Sequence, residues 1–537
     1  MLPAARPEGR SLGRAFYLGR MFEHAALHHP DAEVRLDCPL DIAPDSGLVH
    51  TYAELAGLVD DLASRLWQAG VRPSEPVVVH KAHSFDIPLL ACAASRIGAV
   101  PVLLSPVLDA EVVVTLLGRL GSAWLLTDAS RLHSLADGRD LAMTSVILTA
   151  GEPPPGTEGR VIRLAAPGEA PAKPPVELHP RQPALITHSS GTTGIPKLMV
   201  HTAQTLWHRL APQKMIAWPV RGSETVLLAM SFVHSRFLHS LGVFLPYGNP
   251  LVISAGQDVA TIRGLLLSAK PGVVETHPNN FVLWEDLADD DAAPLSCVRY
   301  YSSTFDAIHP STIRRLLAAS RRRDPRLVQL YGQSETGPIS CAIYTERSAE
   351  RIDGRYVGLP LPGFIKIRAV DDQGRPRPRG TAGHLEVRSR GRALTYLGED
   401  ERHRAQLHDG WWRLGDVGYV DRLNRLYLVD RAVDQISGVD SNLAIEDMLL
   451  SRLPQLAEVV VVPDTDGSPL PIVATRGDVP LDRVRWGQCA AGLPPMKTPV
   501  QWRFDDFPRT STWKIRRLEI RGMWEQGRAP SPIHVGE

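Results

Sequence analysis

Cysteine is scarce in this 537-residue chain. Its five residues, Cys38, Cys92, Cys297, Cys341 and Cys489, lie far apart, and none forms a CxxC pair. That spacing argues against a disulfide framework and a structural zinc site, and it suits a reducing compartment. An excess of either charge is also missing. The 59 basic residues match the 59 acidic ones, so neither a nucleic-acid surface nor a charged tail is indicated. Few of the basic residues are lysine. No apolar run is long enough to span a bilayer. The stretch MLPAARPEGRSLGRAFYLGRMFEH carries charges where a signal peptide needs an apolar segment, so a cytoplasmic protein with no membrane partner is expected. The length suffices for a large core and for more than one domain.

The patterning that is present alternates helices with short apolar strands. TYAELAGLVDDLASRLWQAG has helical spacing behind a threonine cap candidate, Thr51. PVVVH reads as a buried strand, and DIPLLACAASRIGAVPVLLS as helix, glycine stop and strand. SAWLLT, SVILTA and ALITHSS add further strands. This texture predicts an α/β fold with parallel-type sheets. The proline- and glycine-rich stretch 150–184 is expected to be a surface connection. From about Gly363 the chain turns to strands and turns, a β segment. After Asp434, NLAIEDMLLSRL, AEVVVVPD and LPIVATR predict a small α+β domain. The expected division is a large N-terminal domain over 1–432 and a small mobile C-terminal domain over 433–537.

THSSGTTGIPKLMVHT, residues 187–202, has the composition of a phosphate loop. A Walker loop needs lysine directly after its last glycine. Here Ile195 and Pro196 separate Gly194 from Lys197, and Pro196 has no amide donor. The loop still offers the hydroxyls of Ser189, Ser190, Thr192 and Thr193 and the amides of Gly191 and Gly194 as a nest for a triphosphate. An ordinary Ser/Gly turn is the plain alternative.

SSGTTGIPK resembles the phosphate loop of the adenylate-forming (ANL) superfamily, which includes acyl-CoA synthetases, aryl-acid ligases, peptide-synthetase adenylation domains and luciferases. YGQSETG (331–337), WWRLGDVGYVD, VDRAVDQIS and PRTSTWKIRR resemble four further motifs of that superfamily, in its order. The resemblance implies an AMP-forming ligase that splits ATP to AMP and pyrophosphate to activate an acid. In-line attack on the α-phosphate needs cations and oriented donors. The resemblance gives Glu335 to magnesium, Tyr331 to adenine, Asp416 and Arg431 to ribose, and Lys514 to the attacking oxygen and the α-phosphate. Asp434 would be the hinge. ATP and magnesium are the implied cofactors.

Several positions depart from the superfamily pattern. Leu198 follows the loop lysine where glycine is usual. Asp430 and Trp513 also replace glycines, Ser437 replaces a lysine, and Ser303, Thr304 and Phe305 stand where GG is common. Asp440 replaces a glycine that lies beside the pantetheine tunnel. Adenylation is therefore expected, and transfer to CoA is not. The acid pocket is expected among His234, Arg236, His239, His277, Ser303 and Gly332, with Asn279 and Asn280 nearby. That set is too polar for a fatty-acyl tunnel. It suits a small polar or aromatic acid, with Arg236 gripping a carboxylate bidentately. Residue patterns specify neither the acid nor an oligomeric state.

Three accounts follow. One is an aryl- or small-acid ligase passing its adenylate to a thiol, as an ordinary CoA ligase does, or to an amine. Another is the diazotase-like branch, which activates nitrite for a carboxylated arylamine. The third, a non-catalytic adenylate-binding protein, sits poorly with Glu335 and Lys514 both being present.

Overall fold

The computed structural model describes residues 14–136, 144–153, 155, 161–164, 171–189, 195–304, 308–349, 351, 353–436, 439–510, 514–531 and 533. The segment after Thr51 is helical over Tyr52–Gln68. Thr51 accepts from the Glu54 amide while Glu54 reaches back to the Thr51 amide, a reciprocal cap. Such a cap stabilises a helix by about 1 kcal/mol. Helix Asp86–Arg96 ends before Gly98, whose φ of 77° is the left-handed turn read from the sequence. Among the described residues of stretch 150–184 is one strand that the sequence did not announce, Val161–Arg163.

Among the described residues the strands form three sheets of fourteen, eight and three strands. The eight-stranded sheet has a parallel centre, in which Pro76–Val79 pairs with Val100–Leu103 and Ala123–Asp128. Toward one edge it carries the antiparallel pair Pro183–His188 and Leu198–Thr202, which flanks the phosphate loop, with Thr395–Tyr396 as the edge strand. The large sheet runs parallel through Val226–Ala229, Val273–Thr276, Tyr300–Thr304 and Arg326–Gln333. It then turns antiparallel through the hairpin Arg326–Gln333/Gly337–Tyr344 and the β segment over Ile365–Val370, Gly383–Ser389, Trp411–Val420 and Leu426–Arg431. This is the α/β class expected, with the β segment added to the sheet edge.

The third sheet pairs Leu456–Pro463 with Pro469–Thr475 and Val500–Gln501, and helix Asn442–Arg452 packs on it. Its apolar side chains form their own clusters around Leu449, Val461, Ile472 and Trp502. Asp430, where the superfamily has glycine, has a local explanation. It ends strand Leu426–Arg431, is almost fully buried, and accepts from the Asn442 amide at 2.9 Å. Ser441 donates back to the Val429 carbonyl at 2.6 Å. Strand end and helix start are thus stitched together. Among the described residues no helix is long and apolar enough to cross a membrane.

Candidate active site

The two ends of the phosphate loop are clasped. The Ser189 amide donates to the Lys197 carbonyl at 2.9 Å, and the Lys197 amide donates to Ser189 Oγ at 3.0 Å. Ser190, Gly191, Thr192, Thr193 and Gly194 lie outside the described residues. Leu198 is fully buried in the core beneath the eight-stranded sheet, so its side chain anchors the strand that leaves the loop.

Lys197 aims its ammonium across the cleft at Glu335, Nζ to Oε1 2.9 Å, and at Tyr396 Oη, 3.2 Å. Tyr396 in turn donates to the same Glu335 oxygen at 2.8 Å. Burial alone would raise the Glu335 carboxyl; Lys197 and Tyr396 outweigh it and hold the group below its ordinary range. A single carboxylate beside a lysine suits magnesium carried in on nucleotide phosphates, since that ion commonly takes one or two protein carboxylates. Among the described residues no cluster of three or more His, Cys, Asp or Glu could hold a metal unaided.

Arg209 was missed by sequence reasoning. It is almost fully buried on helix Ala203–Ala217 and donates to the carbonyls of Gly391 (2.6 Å), Ser334 and Glu335 (both 3.0 Å). Its guanidinium makes no ion pair among the described residues, and burial lowers its pKa to about 9. Gly337, at φ 75°, permits this approach, because a Cβ there would meet Arg209 Cγ at 2.6 Å. The available signal was a charged residue in the apolar stripe Ala203–Leu206–Leu210 of that helix. Tyr396 gave no comparable signal, since it comes from a two-residue strand of the other sheet.

At the other end of the cleft, Tyr331 donates its hydroxyl to Asp416 in a short contact, and Arg431 stands 3.9 Å from the other Asp416 oxygen. Burial raises the Asp416 carboxyl, opposed by Arg431. The Tyr331 hydroxyl is therefore engaged, which leaves its ring face for any stacking role. Asp434 lies just beyond, its amide bonded to the Arg431 carbonyl and its own carbonyl taking the Asn442 side chain.

These groups converge. Ser189, Lys197, Tyr331, Glu335, Asp416 and Lys514 line one cavity of about 570 Å³. Arg431, Asp434, Gly332, His234, Arg236 and His239 also reach it. His234 caps helix Ser235–Phe244, with Nδ1 accepting from the Arg236 amide at 3.0 Å. Burial holds its pKa well below the usual imidazole range, so the neutral ring carries its proton on Nε2.

Three expected pocket residues behave differently. His239 turns Nδ1 to the Ser235 carbonyl of its own helix and Nε2 to the Leu206 carbonyl of helix Ala203–Ala217, and thereby serves the packing of the two helices. His277 is buried, with Nε2 accepting from the Ser231 amide. Ser303 is wholly buried, while its neighbour Thr304 lines the cavity, as strand alternation requires. Arg236 also needs correction. It is already paired, in a short contact, with the fully buried Glu275, so a bidentate grip on substrate is not open to it. Asn279 reaches the cavity, whereas Asn280 is tied to Gln257 and Thr276.

Lys197 paired with Glu335, the Tyr331–Asp416–Arg431 group and Lys514 around one cavity suit an enzyme that activates an acid with a nucleotide. The chain belongs to the AMP-binding enzyme family, whose model matches residues 22–397. It is an adenylate-forming enzyme that uses ATP.

Over 537 aligned positions it is 53% identical to 3-amino-2-hydroxy-4-methoxybenzoate diazotase of Streptomyces cremeus, covering 96% of this chain and 97% of that one. It is 27% identical to 3-aminoavenalumate diazotase of a Streptomyces species, covering 89% and 90%. The anthranilate CoA ligase AuaEII, solved with anthranoyl-AMP, shares the fold at a TM-score of 0.81 and 19% identity, covering 96% of this chain and 99% of that one.

Proposed function

We propose that this enzyme activates nitrite with ATP and delivers the nitrosyl group to an arylamine that also carries a carboxylate, producing a diazonium ion. A nitrite oxygen bonds to the α-phosphorus as the bond to pyrophosphate breaks. The amine nitrogen then attacks the nitroso nitrogen, and AMP leaves with the electron pair of the N–O bond. The amine releases one proton and its second moves to the nitroso oxygen; return of the released proton to that oxygen lets it leave as water, which yields the diazonium. The observation that carries this reading is the 53% identity to a diazotase along nearly the full length of both chains.

The cleft supplies suitable groups. Ser189, the loop 190–194 and Lys197 would hold the β- and γ-phosphates. The Tyr331 ring would lie on adenine, and Asp416 with Arg431 would take the ribose. Lys514 would hold the incoming oxygen and the α-phosphate, where charge develops. Glu335 would ligate magnesium, which neutralises phosphate charge when bound. Its entry needs Lys197 to move from Glu335 toward the phosphates, a swap of partners within one ion-pair cluster.

The domain boundary follows the same logic, with 1–432 as the large domain, 433–537 as the small domain bearing Lys514, and Asp434 as pivot. Two bonds straddle that pivot, Asp430 to the Asn442 amide and Ser441 to the Val429 carbonyl. A turn of the small domain would break both. This favours an acceptor that reaches the adenylate without such a turn, an amine rather than CoA. The protein would act in the cytoplasm.

The test is ATP–pyrophosphate exchange with purified enzyme. Nitrite should support exchange in the absence of any carboxylic acid. Exchange driven by an aryl carboxylate and not by nitrite would replace this reading with an aryl-acid ligase.

A further inference from the structure

The cavity adjoins a smaller recess of about 100 Å³. Arg236, Gln213 and Leu330 line both spaces and form the partition between them. The walls of the recess are largely apolar and include Val273, Tyr300, Val328 and Phe244. Its buried acid is Glu275, which is fully enclosed.

Three polar atoms at this partition are buried without a hydrogen-bond partner: Arg236 Nη1, Glu275 Oε2 and Gln213 Oε1. Buried polar groups are almost always satisfied, so three orphans together call for an explanation. Their orientations are fixed. Gln213 Nε2 donates to the Arg209 carbonyl at 2.7 Å, and a carbonyl only accepts, so the amide cannot be reversed. Arg236 gives Nε and Nη2 to one oxygen of Glu275, which leaves Nη1 and the second carboxylate oxygen over.

All three atoms are closed to solvent, so the set offers one charged donor and two acceptors, beside an apolar floor, to a ligand that enters between the partition side chains. An aryl ring bearing both a carboxylate and an amino group is the complement. The charge also suits an anion, because Arg236 and Glu275 cancel while Arg209, close by in the same cavity, makes no ion pair among the described residues.

We propose that this partition recognises the arylamine. Arg236 Nη1 takes the ring carboxylate, and Gln213 Oε1 and Glu275 Oε2 accept the two amino hydrogens. Holding both N–H bonds leaves the nitrogen lone pair free to attack the nitroso group, so Gln213 and Glu275 are positioning residues and Arg236 sets specificity. This rests on the diazotase reading above.

Equilibrium binding tests it without turnover. 3-Aminobenzoate, its carboxamide and benzoate are titrated calorimetrically into wild type, Gln213→Leu and the Arg236→Met/Glu275→Met double variant. The double variant removes both charges together, so no buried ion is stranded. Wild type should prefer the carboxylate over the carboxamide by roughly 30-fold or more, and the amine over benzoate by roughly 10-fold, the sizes that a net charged and a net neutral hydrogen bond give. The double variant should lose the first preference. Gln213→Leu should weaken the second and keep the first.

Unchanged preferences in folded variants would overturn the assignment, as would a wild type indifferent to carboxylate and amine. The reading beneath it fails separately, if wild type shows no nitrite-dependent pyrophosphate exchange. Carboxylate preference lost in the double variant would then still stand, as recognition of an aryl acid.

Discussion

Glu335→Gln separates the chemical role of the Lys197–Glu335 pair from its structural one. Glutamine keeps the volume and a carbonyl acceptor for the Tyr396 hydroxyl, now at 2.8 Å, and removes the charge that faces Lys197 at 2.9 Å. The two side chains are 23% and 13% exposed, so the pair lies between surface and core. Exposed pairs contribute about 0–1 kcal/mol, and breaking a core pair costs about 3–5 kcal/mol. A loss of about 1–2 kcal/mol is expected here, which lowers the melting temperature of a chain this long by only a few degrees.

The catalytic loss should be larger. Removing a preorganised charge-stabilising group costs about 10²–10³-fold in turnover, or about 3–4 kcal/mol of barrier. Barrier and stability thus separate, and one variant reports both. The assay is pyrophosphate release against magnesium concentration, alongside a thermal melt. Turnover should fall by about 100-fold or more, with the magnesium half-saturation point shifted upward. Wild-type rate and magnesium dependence in the variant would refute the metal role of Glu335.

Lys514→Ala should lower acid-dependent pyrophosphate release by roughly 100-fold or more while changing nucleotide affinity far less; a retained rate would remove Lys514 from the chemistry. Asp430 has its pKa raised by burial to about 6, so the folded protein binds its proton more tightly than the unfolded chain does. Its contribution is present in acid and lost as pH rises through about 6. Asp430→Asn should therefore stabilise the protein by about 1–3 kcal/mol at pH 8 and flatten the melting profile between pH 4 and 6; parallel profiles would contradict this. Arg209→Met leaves three backbone carbonyls without their donor and should destabilise by about 3 kcal/mol or more in chemical denaturation. Added CoA should leave turnover unchanged, whereas a carboxylated arylamine should accelerate it; robust acyl-CoA formation would restore the thiol acceptor.

The strands and helices that build the sheets were legible because each carries its own period and punctuation, as Thr51 and Gly98 illustrate. Ser189, Lys197, Glu335, Asp416 and Lys514 were legible as motif residues, and they line one cavity. What escaped was long-range pairing. Nothing near Arg236 announces Glu275, which arrives from a strand 39 residues on and takes up two of its donors. Tyr396 and Glu335 are 61 residues apart, and Arg209 meets Ser334 across 125. His239 read as a site residue because its polarity was visible and its two carbonyl partners were not. Asp430 read as a departure near the hinge, and its capping of Asn442 emerges only when strand and helix meet.

The central claim is that nitrite is the acid activated. Nitrite labelled with ¹⁸O tests it directly, because the oxygen that attacks the α-phosphorus stays on AMP when the N–O bond breaks. After turnover with ATP and an unlabelled aminobenzoate, mass spectrometry of AMP should show one ¹⁸O per molecule, in step with diazonium trapped by 2-naphthol. Unlabelled AMP from labelled nitrite, with ¹⁸O entering AMP instead from a labelled aryl carboxylate, would contradict it.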